Sequence, residues 1–239
     1  MRLAVLQQIN KINQIFYDDL GDEFSKTRGR VQPGVAAQIP AFINAASILD
    51  VGCGNGSFAH ALESAGFSGH FSGIDLSQPL LRHAQANLPT NRYTFQQVDL
   101  TKPAWQFQGG DAIHDVITSF AVLHHIAGKD QRNLFFANIR ARLADNGIFV
   151  FSVWQFLNSP KLTARILPWE DVGIPTKEVE EGDHLLDWRS GGKGIRYAHH
   201  YSQQELNDHA KSAGFRVVNS YFSDGTKGNL AIYQTWKKS

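Results

Sequence analysis

The chain has 239 residues and a formal net charge of +1, from 23 Lys and Arg against 22 Asp and Glu. That length holds one large α/β domain or a domain with an insertion, and it excludes two independent domains. The near-zero charge excludes a general electrostatic pull on nucleic acid, and the single cysteine, Cys53, excludes an intrachain disulfide.

Leu3, Leu6, Ile9, Ile12 and Ile15 recur at three-residue steps, which predicts a helix or a pair of short helices capping the main domain over residues 1–30. The apolar run at Leu3 to Leu6 is broken by Gln7 and Gln8 before it reads as a signal peptide. No stretch approaches the roughly 18 apolar residues of a membrane span, so a soluble cytoplasmic protein with no membrane partner is expected. Strands and helices then alternate: Ser47 to Val51, Ser57 to Ala65, His70 to Asp75, Gln78 to Asn87, Arg92 to Val98, Asp115 to Phe120, Asp130 to Leu143 and, after a turn at Asn146-Gly147, Gly147 to Trp154. Such alternation predicts a mostly parallel sheet covered on both faces, with its ligand outside the carboxyl ends of the strands. Residues 155–195 break the rhythm with Pro160, Pro168, Pro175, an acidic run from Glu178 to Asp183, and Gly191-Gly192. A long aperiodic segment inside a compact domain reads as a lid. Arg196 to Tyr201 predicts a short strand, and Ser202 to Glu205 is a capping-box start for a helix ended by Gly214. Phe215 to Phe222 and Asn229 to Trp236 form the expected C-terminal hairpin across Asp224-Gly225.

The richest stretch is Ile48 to Phe58, where a buried strand runs into a turn carrying Gly52, Gly54 and Gly56 and then into a helix start. Glycines there leave bare backbone for close approach of a ligand. Asp75 ends the second strand about 20 residues further on, where ribose hydroxyls are held. Nicotinamide and S-adenosylmethionine enzymes share that arrangement, but a dinucleotide fingerprint wants Gly or Ala where Ser57 stands. The third glycine comes one place early, which leaves a pyrophosphate no evident seat. After the third strand, Asp99-Leu100 offers an acceptor for an adenine amino group and an apolar cover for the ring. Cys53, inside the glycine turn, reads as a small packed residue.

This run of motifs resembles the class I S-adenosylmethionine-dependent methyltransferases over roughly residues 10–155. The resemblance implies a Rossmann-like, doubly wound α/β fold with a seven-stranded, mostly parallel sheet and an antiparallel C-terminal hairpin. It also implies that Asp75 binds the ribose, that Asp99 marks the adenine, and that the glycine turn lies beneath the methionine moiety. Asp50, Leu76, Leu100, Ser119 and Phe120 complete the expected cofactor set. Phe16-Tyr17-Asp18 and Phe24-Ser25-Lys26-Thr27-Arg28 resemble the segment before the glycine turn in tRNA wobble-uridine carboxymethyl methyltransferases, which implies that Tyr17 and Arg28 lie over the cofactor. Gly182 to Trp188 and Arg196 to Tyr201 are similar to that branch's closing segment, which puts Arg196, Tyr197 and His199 on the substrate side, although Ala198 replaces the branch's aromatic. By strand alternation Arg196 and His200 share one face while Tyr197 and His199 share the other. Holding tRNA with so little net charge would call for a small activating partner subunit, as in the eukaryotic members.

Methyl transfer from a sulfonium is an in-line displacement, so the chain must align the nucleophile and exclude water. His124 and His125, after the fourth strand, are open to reading as a general base, a substrate contact or structural polar residues. They lack partners at metal-ligand spacing, so no metal is expected. Trp154, Trp169, Trp188 and Tyr197 read either as a stacking wall for a planar substrate or as plain packing. Three functions stay open: methylation of a carboxylate such as carboxymethyl-uridine in tRNA, O- or N-methylation of a small metabolite, and a non-catalytic RNA-binding or scaffold role.

Overall fold

The computed structural model describes residues 1–26, 30–86, 88–110, 112–189 and 192–239, with the side chains of 22 and 24–26 outside the description. A long N-terminal helix, α1 (Leu3–Lys26), and two single-turn helices, α2 (Pro33–Ala36) and α3 (Ile39–Phe42), precede the alternating part. That part runs β1 (Ser47–Val51), α4 (Ser57–Ser64), β2 (His70–Asp75), α5 (Gln78–Gln85), β3 (Tyr93–Gln97), β4 (His114–Phe120), α6 (Lys129–Arg142) and β5 (Leu143–Trp154). After α7 (Pro160–Thr163) come β6 (Ile166–Leu167), β7 (Asp183–Trp188), β8 (Gly194–His199), α8 (Gln203–Ser212), β9 (Phe215–Ser223) and β10 (Ala231–Lys238).

Seven strands form one sheet in the order β3-β2-β1-β4-β5-β10-β9, parallel except for β10, which runs antiparallel to both β5 and β9. Successive side chains of a strand point to opposite faces, and the core divides accordingly. Leu49, Val51, Ile117, Phe149 and Phe151 pack against Phe135, Phe136 and Ile139 of α6 and Leu206 and Ala210 of α8. Ile48, Val116 and Val150 pack on the other face with Phe58 and Leu62 of α4 and Leu81 and Ala84 of α5. Burial on both faces is why these strands read as near-continuous apolar runs. The strand order reverses between β1 and β4, and that switch point opens a crevice at their carboxyl ends.

Residues 155–195, which carry no clear period in the sequence, contain regular structure. With residues just beyond, they build a second, three-stranded antiparallel sheet in the order β6-β7-β8. Leu185 and Tyr197 pack against Val5 and Ile9 of α1, while Leu186 and Ala198 pack against Phe156. A small sheet covered on both faces shows no apolar–polar alternation, so β7 was hidden in the sequence. The expected turn at Asn146-Gly147 survives as a register break inside β5, between the pairs His114↔Leu143 and Val116↔Ile148. α1 rests on both β8 and α5, so it bridges the small sheet and the main one.

Candidate functional site

A cavity of about 320 Å³ lies at the switch point, floored by the ends of β1, β2 and β4 and roofed by α1. At one end stands the glycine turn. Gly52, Gly54 and Gly56 have φ of 76°, 56° and 73°, the left-handed region that costs a residue with a Cβ about 1–2 kcal/mol. The turn is tied to β2 by hydrogen bonds from the Gly52 and Cys53 N–H groups to the Ile74 carbonyl, at 2.7 and 3.1 Å. Each glycine serves differently. A Cβ on Gly52 would come 2.3 Å from Val122 Cγ2, one on Gly56 would come 2.8 Å from Ala84 Cα, and one on Gly54 would meet nothing within 4 Å. Gly54 therefore presents bare backbone to the cavity, Gly56 lets α4 approach α5, and Gly52 makes room for the chain leaving β4.

Three carboxylates flank the turn. Asp75 Oδ2 accepts the Gly54 N–H at 2.8 Å and Oδ1 accepts the Ser77 N–H at 2.9 Å, which locks the carboxylate at the cavity edge. Burial raises its pKa, and those backbone donors pull it back. Asp99 Oδ1 accepts the Thr101 N–H at 2.9 Å and hydroxyl at 2.6 Å. Asp50, 2% exposed, accepts the Thr118 hydroxyl at 2.7 Å. Its pKa is pushed up to about 7, first by burial, with the Thr118 hydrogen bond opposing and the nearby Asp75 charge adding to the rise. Burial also drives the Cys53 thiol well above its usual range, so it stays protonated and inert in the wall.

The opposite end is assembled from distant segments. Ala121 leaves β4 with a left-handed φ of 59°, its N–H held by the Ser152 carbonyl at 3.1 Å, and turns the chain so that His124 and His125 enter the cavity wall. His125 Nδ1 lies 2.7 Å from the Tyr197 carbonyl and must donate to it, so on the neutral ring Nε2 accepts from the Tyr17 hydroxyl at 2.9 Å. Asn13 of α1 holds the same region, accepting the Tyr197 N–H at 2.8 Å and donating to the His125 carbonyl at 3.3 Å. Arg196, 5% exposed, also lines the cavity. Its guanidinium carbon lies 4.4 Å from the ring centroid of Trp154, 5.3 Å from Trp188 and 5.5 Å from Phe16. A cation held in such an aromatic cage is largely desolvated and favours an anion presented from the cavity.

Tyr17, Asp50, Gly52, Gly54, Asp75, Leu76, Asp99, Leu100, Phe120, His124, His125 and Arg196 thus share one cavity wall. Other expected site residues fall elsewhere. Gly56 packs helices, and Ser119 is buried between strands, its hydroxyl donating to the Val51 carbonyl at 2.9 Å. Tyr197 and His199 occupy the face of β8 opposite Arg196, where their side chains meet Asp183. Alternation along a strand forbids all three side chains from facing one side. Trp169 packs behind that sheet with Tyr197. Arg28 and Thr27 lie outside the described residues, as does Gly191. The residue that sequence reasoning missed is Asn13; its signal was a polar side chain four places after Ile9 and four before Tyr17 on a buried helix face.

The chain belongs to the methyltransferase-domain family, whose model matches residues 23–220. Its fold is that of the class I methyltransferases, whose methyl donor is S-adenosylmethionine. Over 69% of its length it is 29% identical to the tRNA (carboxymethyluridine(34)-5-O)-methyltransferase of Arabidopsis thaliana, and over 67% it is 25% identical to the trans-aconitate 2-methyltransferase of Delftia acidovorans. The matches span 37% and 56% of those two relatives. The CcbJ methyltransferase of Streptomyces caelestis has a similar fold, with a TM-score of 0.66 at 18% identity, covering 97% of this chain and 99% of that one. The cavity suits such a donor: Gly54 leaves open space where a side chain would intrude, and three carboxylates face it.

Proposed function

We propose that the protein transfers a methyl group from S-adenosylmethionine to a carboxylate oxygen, with 5-carboxymethyluridine in a tRNA anticodon as the acceptor. The observation that carries this reading is the caged guanidinium of Arg196 in the same cavity as the glycine turn and Asp75. An arginine fork matches a carboxylate bidentately. Two relatives named for carboxymethyluridine and aconitate, both carboxylic acids, support the same class of acceptor.

In this reading Asp75 takes the ribose hydroxyls, Asp99 the adenine amino group with Leu100 covering the ring, and the Gly52–Gly54 backbone the methionine portion. Ionised Asp50 faces the cofactor's positive charge. The bound cofactor supplies a methyl group on a cationic sulfur. A carboxylate acceptor is already ionised, so no residue need take a proton from it, and the chain's task is alignment and exclusion of water. Arg196 orients the carboxylate, Trp154 and His124 wall the approach, and α1 with the β6–β8 sheet covers the cavity as cap and lid of one domain. A small activating subunit adds surface for the tRNA.

The hydrogen-bonded Tyr17–His125 pair favours a second reading, a small metabolite whose hydroxyl or amine loses a proton through Tyr17 to His125 Nε2. Incubation with radiolabelled S-adenosylmethionine and an anticodon stem-loop bearing 5-carboxymethyluridine separates the two. A base-labile methyl ester on the stem-loop is the expected product. No transfer to the stem-loop, with transfer to a hydroxyl or amine metabolite, would establish the second reading.

A further inference from the structure

Behind Arg196, on the face of β8 turned away from the cavity, lies a buried charged cluster that the proposed reaction does not use. His199 is 1% exposed and bridges two carboxylates: Nδ1 is 2.6 Å from Asp183 Oδ1, and Nε2 is 2.9 Å from Glu205 Oε1. An imidazole facing an ionised carboxylate at both nitrogens carries both protons, because a carboxylate only accepts. Burial alone would lower the His199 pKa, but the hydrogen bonds to Asp183 and Glu205 outweigh it and hold the value above its ordinary one. Glu205 answers in the opposite sense: burial would raise it, and hydrogen bonds from His199 and His209 bring it down to about 2.

Every element packed on His199 contributes a charged or titratable group. Asp183 comes from β7, and Tyr197 from β8 donates its hydroxyl to Asp183 Oδ1 at 2.7 Å. The Tyr201 ring centroid is 4.5 Å away, Glu205 and His209 face the cluster from α8, and Arg132 of α6 pairs with Glu180. His184 and His200 lie close enough to add repulsion; His200 falls to about 4 through burial and then its two histidine neighbours. Glu180, Asp183 and His199 place ligand-type atoms within 4.8 Å of one another. Arg132 already meets Glu180, and both His199 nitrogens are committed, so a metal cation would displace charges already paired.

The cluster reaches the cavity through the backbone of Tyr197. Its N–H is held by Asn13 and its carbonyl receives the His125 Nδ1 proton, while the preceding residue is Arg196. We propose that His199 is a positioning residue for the acceptor end: its imidazolium clamps β8 between β7 and α8, and so fixes the carbonyl that orients His125 and the strand that aims Arg196. It follows that acceptor binding weakens as pH rises through the raised His199 value and the imidazolium loses its proton, while cofactor binding does not. The sign agrees with stability linkage: a histidine with a raised folded pKa stabilises the fold below its ordinary value and ceases to do so as pH rises through the raised one.

The test compares wild type with Glu205→Gln, which keeps the side chain's shape and removes one carboxylate charge. Imidazole proton–nitrogen NMR should show His199 doubly protonated at pH 7 in the wild type, with its titration moved to lower pH in the variant. The rise in KM with pH for the 5-carboxymethyluridine stem-loop should move down by the same amount, and the calorimetric Kd for S-adenosylmethionine should not change. A neutral His199 at pH 7, or a rise that stays in place in Glu205→Gln, would overturn the proposal. Only the choice of acceptor rests on the carboxylate reading. If the stem-loop is not methylated, that reading fails, and the His125 resonances still decide this one. They should shift as His199 titrates, and their indifference would sink it.

Discussion

The two ends of the cavity are built on different principles. The glycine-turn end comes from residues 50–101 and is held by main-chain hydrogen bonds: the Gly54 and Ser77 N–H groups donate to Asp75, the Thr101 N–H donates to Asp99, and the Ile74 carbonyl accepts from Gly52 and Cys53. The far end gathers Asn13, Tyr17, His125, Trp154 and Arg196 from four separated segments, and side chains and buried charges hold it. A turn fixed by main-chain hydrogen bonds can carry one cofactor while the side chains opposite it change. In the proposed reading a few replaceable groups on one wall set specificity for the acceptor, and each end should fail independently of the other.

Gly52→Ala is the substitution that breaks this independence. Its Cβ would press on Val122, two residues before His124, and force a left-handed alanine, for a combined cost of about 3 kcal/mol. Urea melts should show the destabilisation, and both binding constants should worsen. Arg196→Met sharpens the contrast: loss of a charge-assisted pair worth about 2–3 kcal/mol should raise the acceptor KM roughly 30- to 150-fold. Arg196→Lys should not restore it, because an ammonium cannot reproduce the fork.

A smaller effect belongs to the cofactor end. With Asp50 near 7, binding of a positively charged ligand must draw off its proton below that pH. Affinity for S-adenosylmethionine should then strengthen about tenfold from pH 6 to pH 8, one unit of proton linkage, and Asp50→Asn should flatten the profile. Calorimetry in buffers of different ionisation enthalpy reads the released proton directly. Smallest is Tyr17→Phe, which removes one hydrogen bond to His125 and should cost about 1 kcal/mol, near fivefold, in acceptor kcat/KM.

The same contrast explains what could be read from the sequence. Gly52, Gly54, Asp75 and Asp99 announce themselves because their turn needs glycine and their strands end in carboxylates at regular spacing. The Ser202 cap is equally local, its hydroxyl accepting the Glu205 N–H at 3.1 Å. Gly56 looked like part of the same ligand loop, but a glycine required by helix packing leaves the same mark as one required by a ligand. β7 left no period because both its faces are covered, and the Asp183–His199–Glu205 cluster left none because its members lie on three elements. Alternation did separate Arg196 from Tyr197 and His199; only the packing of α1 and Phe156 revealed which face meets the cavity.

The separability of the two ends is tested most directly by titrating S-adenosylmethionine into wild type, Asp75→Ala and Arg196→Met side by side. Loss of the Asp75 carboxylate should raise the cofactor Kd by about tenfold or more, since a charge-assisted hydrogen bond is worth roughly 1.5–3 kcal/mol, and loss of Arg196 should leave that Kd unchanged. A cofactor Kd that rises in Arg196→Met, or stays level in Asp75→Ala, would contradict the account.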